Sequence, residues 1–125
     1  MPESFTRGAL TEATYLILFS LCEPRHGYGV MQHITTITNG RVKLGVGTLY
    51  GAINLLLDKG LIETAGGDDR RKLYCITPEG MNVLKNEVLR LSELSLIGQE
   101  ILEPAATNSE DSGQADDLAF INEGY

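Results

Sequence analysis

The residues best equipped for chemistry fall into two short stretches of the chain. Thr48, Tyr50, Gly51 and Asn54 lie close together, and Arg70, Arg71 and Lys72 are consecutive. Three adjacent cationic donors suit phosphate oxygens. A phenol such as Tyr50 gives one hydrogen bond to a phosphate or packs on a sugar, and an amide such as Asn54 matches the donor and acceptor pair on an adenine edge. Tyr28 and Lys43 add a second phenol and a further cation. Nothing comparable supports catalysis. His26 and His33 are the only histidines, no carboxylate pair or His/Cys cluster has ligand spacing, and the glycines match no phosphate-binding loop of an enzyme. The expectation is a binding protein with no cofactor and no metal. His26 is expected to cap or pack near a helix start, and His33 to lie on a polar face.

Charge by itself gives little support to an anionic partner, because the 125-residue chain carries −7. The distribution matters more. Glu103, Glu110, Asp111, Asp116, Asp117 and Glu123 supply six of the seven excess negative charges in a terminal stretch without Lys or Arg, which leaves the rest at −1. Between positions 41 and 72, six basic residues (Arg41, Lys43, Lys59, Arg70, Arg71, Lys72) face four acidic ones (Asp58, Glu63, Asp68, Asp69). The length suits one domain with one core. With 42% hydrophobic and 22% charged residues the composition is that of a globular protein. No apolar run is long enough for a membrane span, and the start of the chain lacks a secretory pattern, so a cytoplasmic location is expected. Cys22 and Cys75 each sit in an apolar segment and read as reduced core thiols.

The elements that must position these groups follow from spacing and punctuation. Thr11 is a capping residue for a first helix with a densely apolar body of Tyr15, Leu16, Ile17, Leu18, Phe19 and Leu21, ended by Pro24. Gly27 and Gly29 flank Tyr28 before a second helix, in which Val30, Met31, Ile34 and Ile37 recur at helical spacing until Asn39 and Gly40 stop it. Residues 41–44 alternate charged and apolar and suggest a very short strand. A third helix over about residues 48–59 places Leu49, Ile53, Leu56 and Leu57 on one side. The opposite face carries Gly47, Thr48, Gly51, Asn54 and Asp58, flanked by Tyr50 and Leu55, and Gly60 stops the helix. Two short strands joined by a polar, Gly-rich, basic tip then form a hairpin.

Thr77 and Pro78 open a long last helix toward Leu102. Met81, Leu84, Val88, Leu91 and Leu94 form a stripe on it, with Leu89 and Leu96 to the side. So long a helix on so small a body would leave apolar surface in water, and a second copy is its natural cover. Leu84, Val88, Leu89, Leu91 and Leu96 are the candidate dimer contacts. Beyond Leu102 the composition turns polar and acidic, which reads as a disordered tail over residues 103–125.

Three helices followed by a hairpin is the winged helix-turn-helix plan, in which the third helix enters a major groove and the hairpin lies along the backbone. The fold class is therefore mainly α with a small β-hairpin (α+β), a winged helix-turn-helix at residues 1–77 followed by a long C-terminal dimerisation helix at 78–102. The stretches HGYGVMQHI, GVGTLYGAINLLLDKGLIE and DRRKLYCITPEG make the chain resemble the PadR family of bacterial transcriptional regulators over roughly residues 10–94. The resemblance implies a repressor that binds a palindromic operator in double-stranded DNA as a homodimer. It also implies an aromatic or amphipathic small-molecule effector at the dimer interface, where Phe5, Tyr15 and Phe19 are candidates. Members often carry basic residues where this chain has Asn54 and Leu55, which lowers the positive charge of the third helix. The alternative is a winged-helix module that binds protein instead of DNA.

Overall fold

A computed structural model describes residues 9–68 and 70–103. The order is α1 (Glu12–Ser20), β1 (Arg25–His26), α2 (Gly27–Ile37), α3 (Val46–Asp58), β2 (Ile62–Gly67), β3 (Lys72–Ile76) and α4 (Pro78–Leu102). The mainly α winged arrangement expected from the sequence is present, with a three-stranded antiparallel sheet in the order β1-β3-β2.

Thr11 caps α1, its hydroxyl accepting from the Thr14 amide at 3.1 Å. The helix ends at Ser20, before Pro24, as the Leu21 amide closes the last turn on the Ile17 and Leu18 carbonyls. Nearly the whole surface of α1 is apolar, so α2 and α3 both pack on it. Ile17, Leu18, Leu21, Val30, Ile34, Leu49, Ile53 and Leu56 lose all their exposure in this core. Burial of each such side chain contributes about 1.5–3 kcal/mol. The three from α3 fix its rotation, leaving the opposite face in solvent.

Residues 41–44 form no strand, contrary to the expectation. Val42 and Leu44 instead lean on the core from an irregular segment. The Val42 amide is satisfied by the Thr38 hydroxyl at 3.1 Å, and Arg41 is paired with Glu12. The third strand comes from Arg25 and His26, which pair with Tyr74 and Leu73. In the hairpin, the β2–β3 register shifts between Thr64 and Gly67. Gly67 has φ +90°, and a Cβ there would meet the Arg71 carbonyl oxygen at 2.2 Å. Only glycine fits this bulge. Neither cysteine is a core residue: Cys22 lies exposed in the turn after α1 and Cys75 is half-buried on β3.

Thr77 joins the hairpin to α4. Its hydroxyl donates to the Gly60 carbonyl at 2.7 Å and accepts from the Gly80 amide at 3.0 Å. Gly80 lies so near the Leu61 carbonyl that a Cβ would come within 2.0 Å. The buried side of α4 is Gly80, Val83, Leu84 and Glu87, a row at spacing i, i+3, i+4, i+7. Leu84 is thus a core residue of its own chain, 5% exposed, which leaves it little surface for the dimer contact expected of it. The body accordingly extends further than Thr77. The first compact unit ends at Val88 and the second begins at Leu89. Glu87 is 4% exposed and accepts from the Leu10 amide at 3.1 Å, tying the entry to α1 to the last helix. The expected acidic tail, apart from Glu103, lies outside the described residues, as does Phe5.

Candidate nucleic-acid interface

The solvent face of α3 is as the residue spacing implies: Gly47, Thr48, Gly51, Asn54 and Asp58 are all exposed. The helix begins at Val46, two residues before the expected start, with Gly45 as its cap and no side-chain hydrogen bond to its first amides. Gly47 and Thr48 therefore sit in the first turn, where unpaired amides and the helix dipole favour an anion.

Beside this face a cleft of about 340 Å³ is lined by His26, Gly27, Tyr28, Tyr50, Arg70, Arg71, Lys72 and Tyr74. Four elements contribute to it. β1 supplies His26, α2 starts with Gly27 and Tyr28, α3 sends Tyr50 across, and the hairpin brings Tyr74 with the three cations. The close approach of α3 to α2 depends on Gly27, because a Cβ there would be 2.2 Å from the Tyr50 hydroxyl and 2.7 Å from its Cζ. The Tyr50 phenol thus rests on the backbone at the start of α2. His26 occupies the cap position of α2 without a side-chain hydrogen bond to it, and its Nδ1 lies 3.3 Å from the Lys72 carbonyl.

The hairpin tip is shaped by Asp68, whose carboxylate accepts from the Arg71 amide at 2.8 Å and the Arg70 amide at 3.0 Å. These two amides hold the Asp68 carboxyl below its ordinary range. The turn directs backbone donors at Asp68 while Arg70, Arg71 and Lys72 stay exposed, and among the described residues none of the three forms an ion pair. Arg71 also acts through its charge on the Asp68 carboxylate, and all three cations face solvent. Arg41, by contrast, is engaged by Glu12.

The structure therefore brings Tyr28, Tyr50, Arg70, Arg71 and Lys72 into one cleft and sets Thr48, Gly51 and Asn54 on the neighbouring helix face. Lys43 lies apart, in a second groove of about 400 Å³ with Met31, Gln32, Thr35, Thr36 and Leu44. Tyr28 belongs to both, standing 64% exposed between them. Sequence reasoning missed Gly27 and Tyr74 as parts of the site. The HGY motif carried a signal for the first, since a glycine at a helix start beside an aromatic marks a close approach. Tyr74 had none, because an apolar strand hides its phenol.

His33 does not lie on a purely polar face. Its ring stacks on Phe19 at 6.0 Å, and its Nδ1 is 2.8 Å from the Ser20 hydroxyl. Burial, aided by the nearby Arg25 cation, lowers its pKa. Among the described residues there is no cluster of ligating side chains that could hold a metal ion, and no helix is long and apolar enough to cross a membrane.

The chain is similar to known proteins. A 37.1 kDa protein of a Streptomyces fradiae transposon is 34% identical over 85 residues, which is 67% of this chain and 24% of that one. The chain thus spans about a quarter of the relative's length. Among solved structures, a PadR family transcriptional regulator from Eggerthella lenta is 26% identical with a TM-score of 0.61, over 73% of this chain and 81% of that one. The S1 complex of RosR from H. salinarum is 25% identical with a TM-score of 0.60, over 90% and 95%. Residues 16–86, more than half of the sequence, match the model of the transcriptional regulator PadR-like family, and with the winged arrangement and its cationic cleft this establishes that the chain belongs to the PadR-like family of transcriptional regulators.

Proposed function

We propose that the chain is a repressor that binds a palindromic operator as a homodimer, with the exposed face of α3 in the major groove and the β2–β3 tip along the backbone. The observation that carries this reading is the convergence of Tyr28, Tyr50, Arg70, Arg71 and Lys72 beside the small, polar face of α3. Phenols and cations at the cleft position the duplex, and Thr48 and Asn54 reach base edges. Gly51 leaves room for close approach.

Dimerisation is supported by the last turns of α4. Val88, Leu89, Leu91, Leu94 and Leu96 are between 38% and 68% exposed, and Ile97, Ile101 and Leu102 are exposed as well. An apolar surface of this kind calls for a partner, and a two-fold pair matches a palindromic site. Release by an aromatic or amphipathic effector held between the subunits completes the reading, supported by membership of the family.

Binding of labelled DNA from upstream of the protein's own gene, followed by anisotropy at several salt concentrations, tests it. A specific, salt-sensitive complex of two chains per operator is expected. Absence of any complex with the intact protein would leave a winged-helix module that binds protein.

A further inference from the structure

The cleft holds a group that packing alone does not account for. Tyr74 is 8% exposed on β3 and lines the cleft, yet among the described residues its phenol makes no hydrogen bond. A phenol held in the wall of a cleft without a protein partner keeps its hydrogen-bonding capacity for whatever enters the site. Tyr50 and Tyr74 line the same cleft, and burial together with the neighbouring Tyr50 raises the Tyr74 pKa, which keeps it a neutral O–H donor. Tyr50 in turn lies over Gly27, at the start of α2, whose first amides have no side-chain cap. Arg70, Arg71 and Lys72 stand at the mouth. Every polar group named is a donor of hydrogen bonds or a positive charge, and among the described residues no carboxylate lines the cleft.

We propose that this cleft seats one phosphoryl group, hydrogen-bonded at its inner end by the Tyr74 and Tyr50 phenols and the first amides of α2, and neutralised at its outer end by Arg70, Arg71 and Lys72. The volume of about 340 Å³ exceeds that of a lone phosphate and accommodates the sugar or second phosphate attached to it. Two sources share this chemistry: a phosphodiester of the DNA backbone and a free polyphosphate anion. The first rests on the reading that this face meets duplex DNA, and the second does not. In the first case Tyr74 anchors the register of the winged domain on the duplex. In the second, a small anion occupies the cleft in competition with DNA.

The test uses the full chain and its Tyr74→Phe variant, in which the ring is kept and only the hydroxyl is removed. In one arm, operator duplexes carrying a single neutral methylphosphonate at each backbone position in turn are bound and followed by anisotropy. In the other, inorganic pyrophosphate is titrated into DNA-free protein and read by tyrosine fluorescence, which no Trp obscures. For a backbone phosphate, one neutralised position per half-site weakens the wild type about ten-fold, as removal of a hydrogen bond to a charged group should. Tyr74→Phe shows the same loss and is insensitive to that position. For a free anion, pyrophosphate gives a saturable signal with the wild type that weakens about ten-fold in the variant, whether or not the wild type binds DNA. Wild-type behaviour of Tyr74→Phe in both arms overturns the proposal while leaving DNA binding intact. If the variant fails to fold, the wild-type arms decide: no sensitive phosphate and no saturable pyrophosphate signal overturn it.

Discussion

Replacing Gly27 with alanine adds one methyl group at the start of α2 and sets two effects against each other. Gly27 needs no positive φ, so alanine fits the backbone and offers a gain in helix propensity of at most about 1 kcal/mol. The added Cβ, however, would lie 2.2 Å from the Tyr50 hydroxyl and 2.7 Å from its Cζ, far inside van der Waals contact. The backbone of α2 is held by the core through Val30 and Ile34, whereas Tyr50 is 40% exposed, so the tyrosine is the part that moves. Swinging a half-exposed ring into solvent costs little stability and roughly offsets the propensity gain. The expected change in unfolding free energy is therefore within about 1 kcal/mol, and circular dichroism melts should nearly coincide. DNA binding should change much more. A hydrogen bond from a phenol to a charged phosphate is worth about 1.5–3 kcal/mol, and its loss weakens binding about 10- to 150-fold. Anisotropy titrations with operator DNA measure this. In a Tyr50→Ala background the methyl meets no ring, so Gly27→Ala should add no further loss of affinity, and the pair should be strongly non-additive. Wild-type affinity of Gly27→Ala in the Tyr50-containing protein, or simple additivity of the two changes, would refute the role assigned to this contact.

Four further outcomes follow from the same structure. Removing the cations Arg70, Arg71 and Lys72 together by alanine substitution should lower the slope of log affinity against log salt by about 2.7 per subunit, or about 5.4 for the dimer, with little change in sequence preference, as read by salt titration. Asn54→Ala should instead leave the salt slope intact and relax preference at one base pair, seen by binding to single-site operator variants. Introducing Leu91→Glu with Leu94→Glu on the exposed side of α4 should yield a folded monomer by light scattering, since neither residue belongs to the core of its own chain. The depressed pKa of His33 means that the unfolded chain binds its proton more readily than the folded one. Stability should fall as pH drops through the ordinary histidine range, and urea midpoints should show a shallower acid-side loss in His33→Gln.

Much of the fold was legible in local chemistry. Thr11, Asn39, Gly60 and Thr77 mark their element ends by capping or positive φ, and the spacing of Leu49, Ile53 and Leu56 sets which side of α3 is buried. The basic hairpin tip and the polar face of α3 were legible for the same reason. Errors arose where a pairing between distant segments decided the outcome. Residues 41–44 alternate like a strand, but the edge of β3 that the hairpin leaves open is taken by β1, and Val42 and Leu44 pack on the core instead. The apolar stripe on α4 suggested Leu84 as a contact between chains, whereas its own core claims it together with Val83 and even the charged Glu87.

The sequence by itself determined the order of the helices and the hairpin, the family and the identity of the exposed groups on α3 and at the hairpin tip, since periodicity, caps and turn residues act over a few positions. Tertiary structure alone decided that His26, Gly27, Tyr50 and Tyr74, from four different elements, enclose one cleft with the cations at its mouth. That convergence depends on contacts between residues far apart in the chain, above all the missing side chain of Gly27 that lets Tyr50 lie against α2. No local pattern records which distant ring an absent methyl group makes room for.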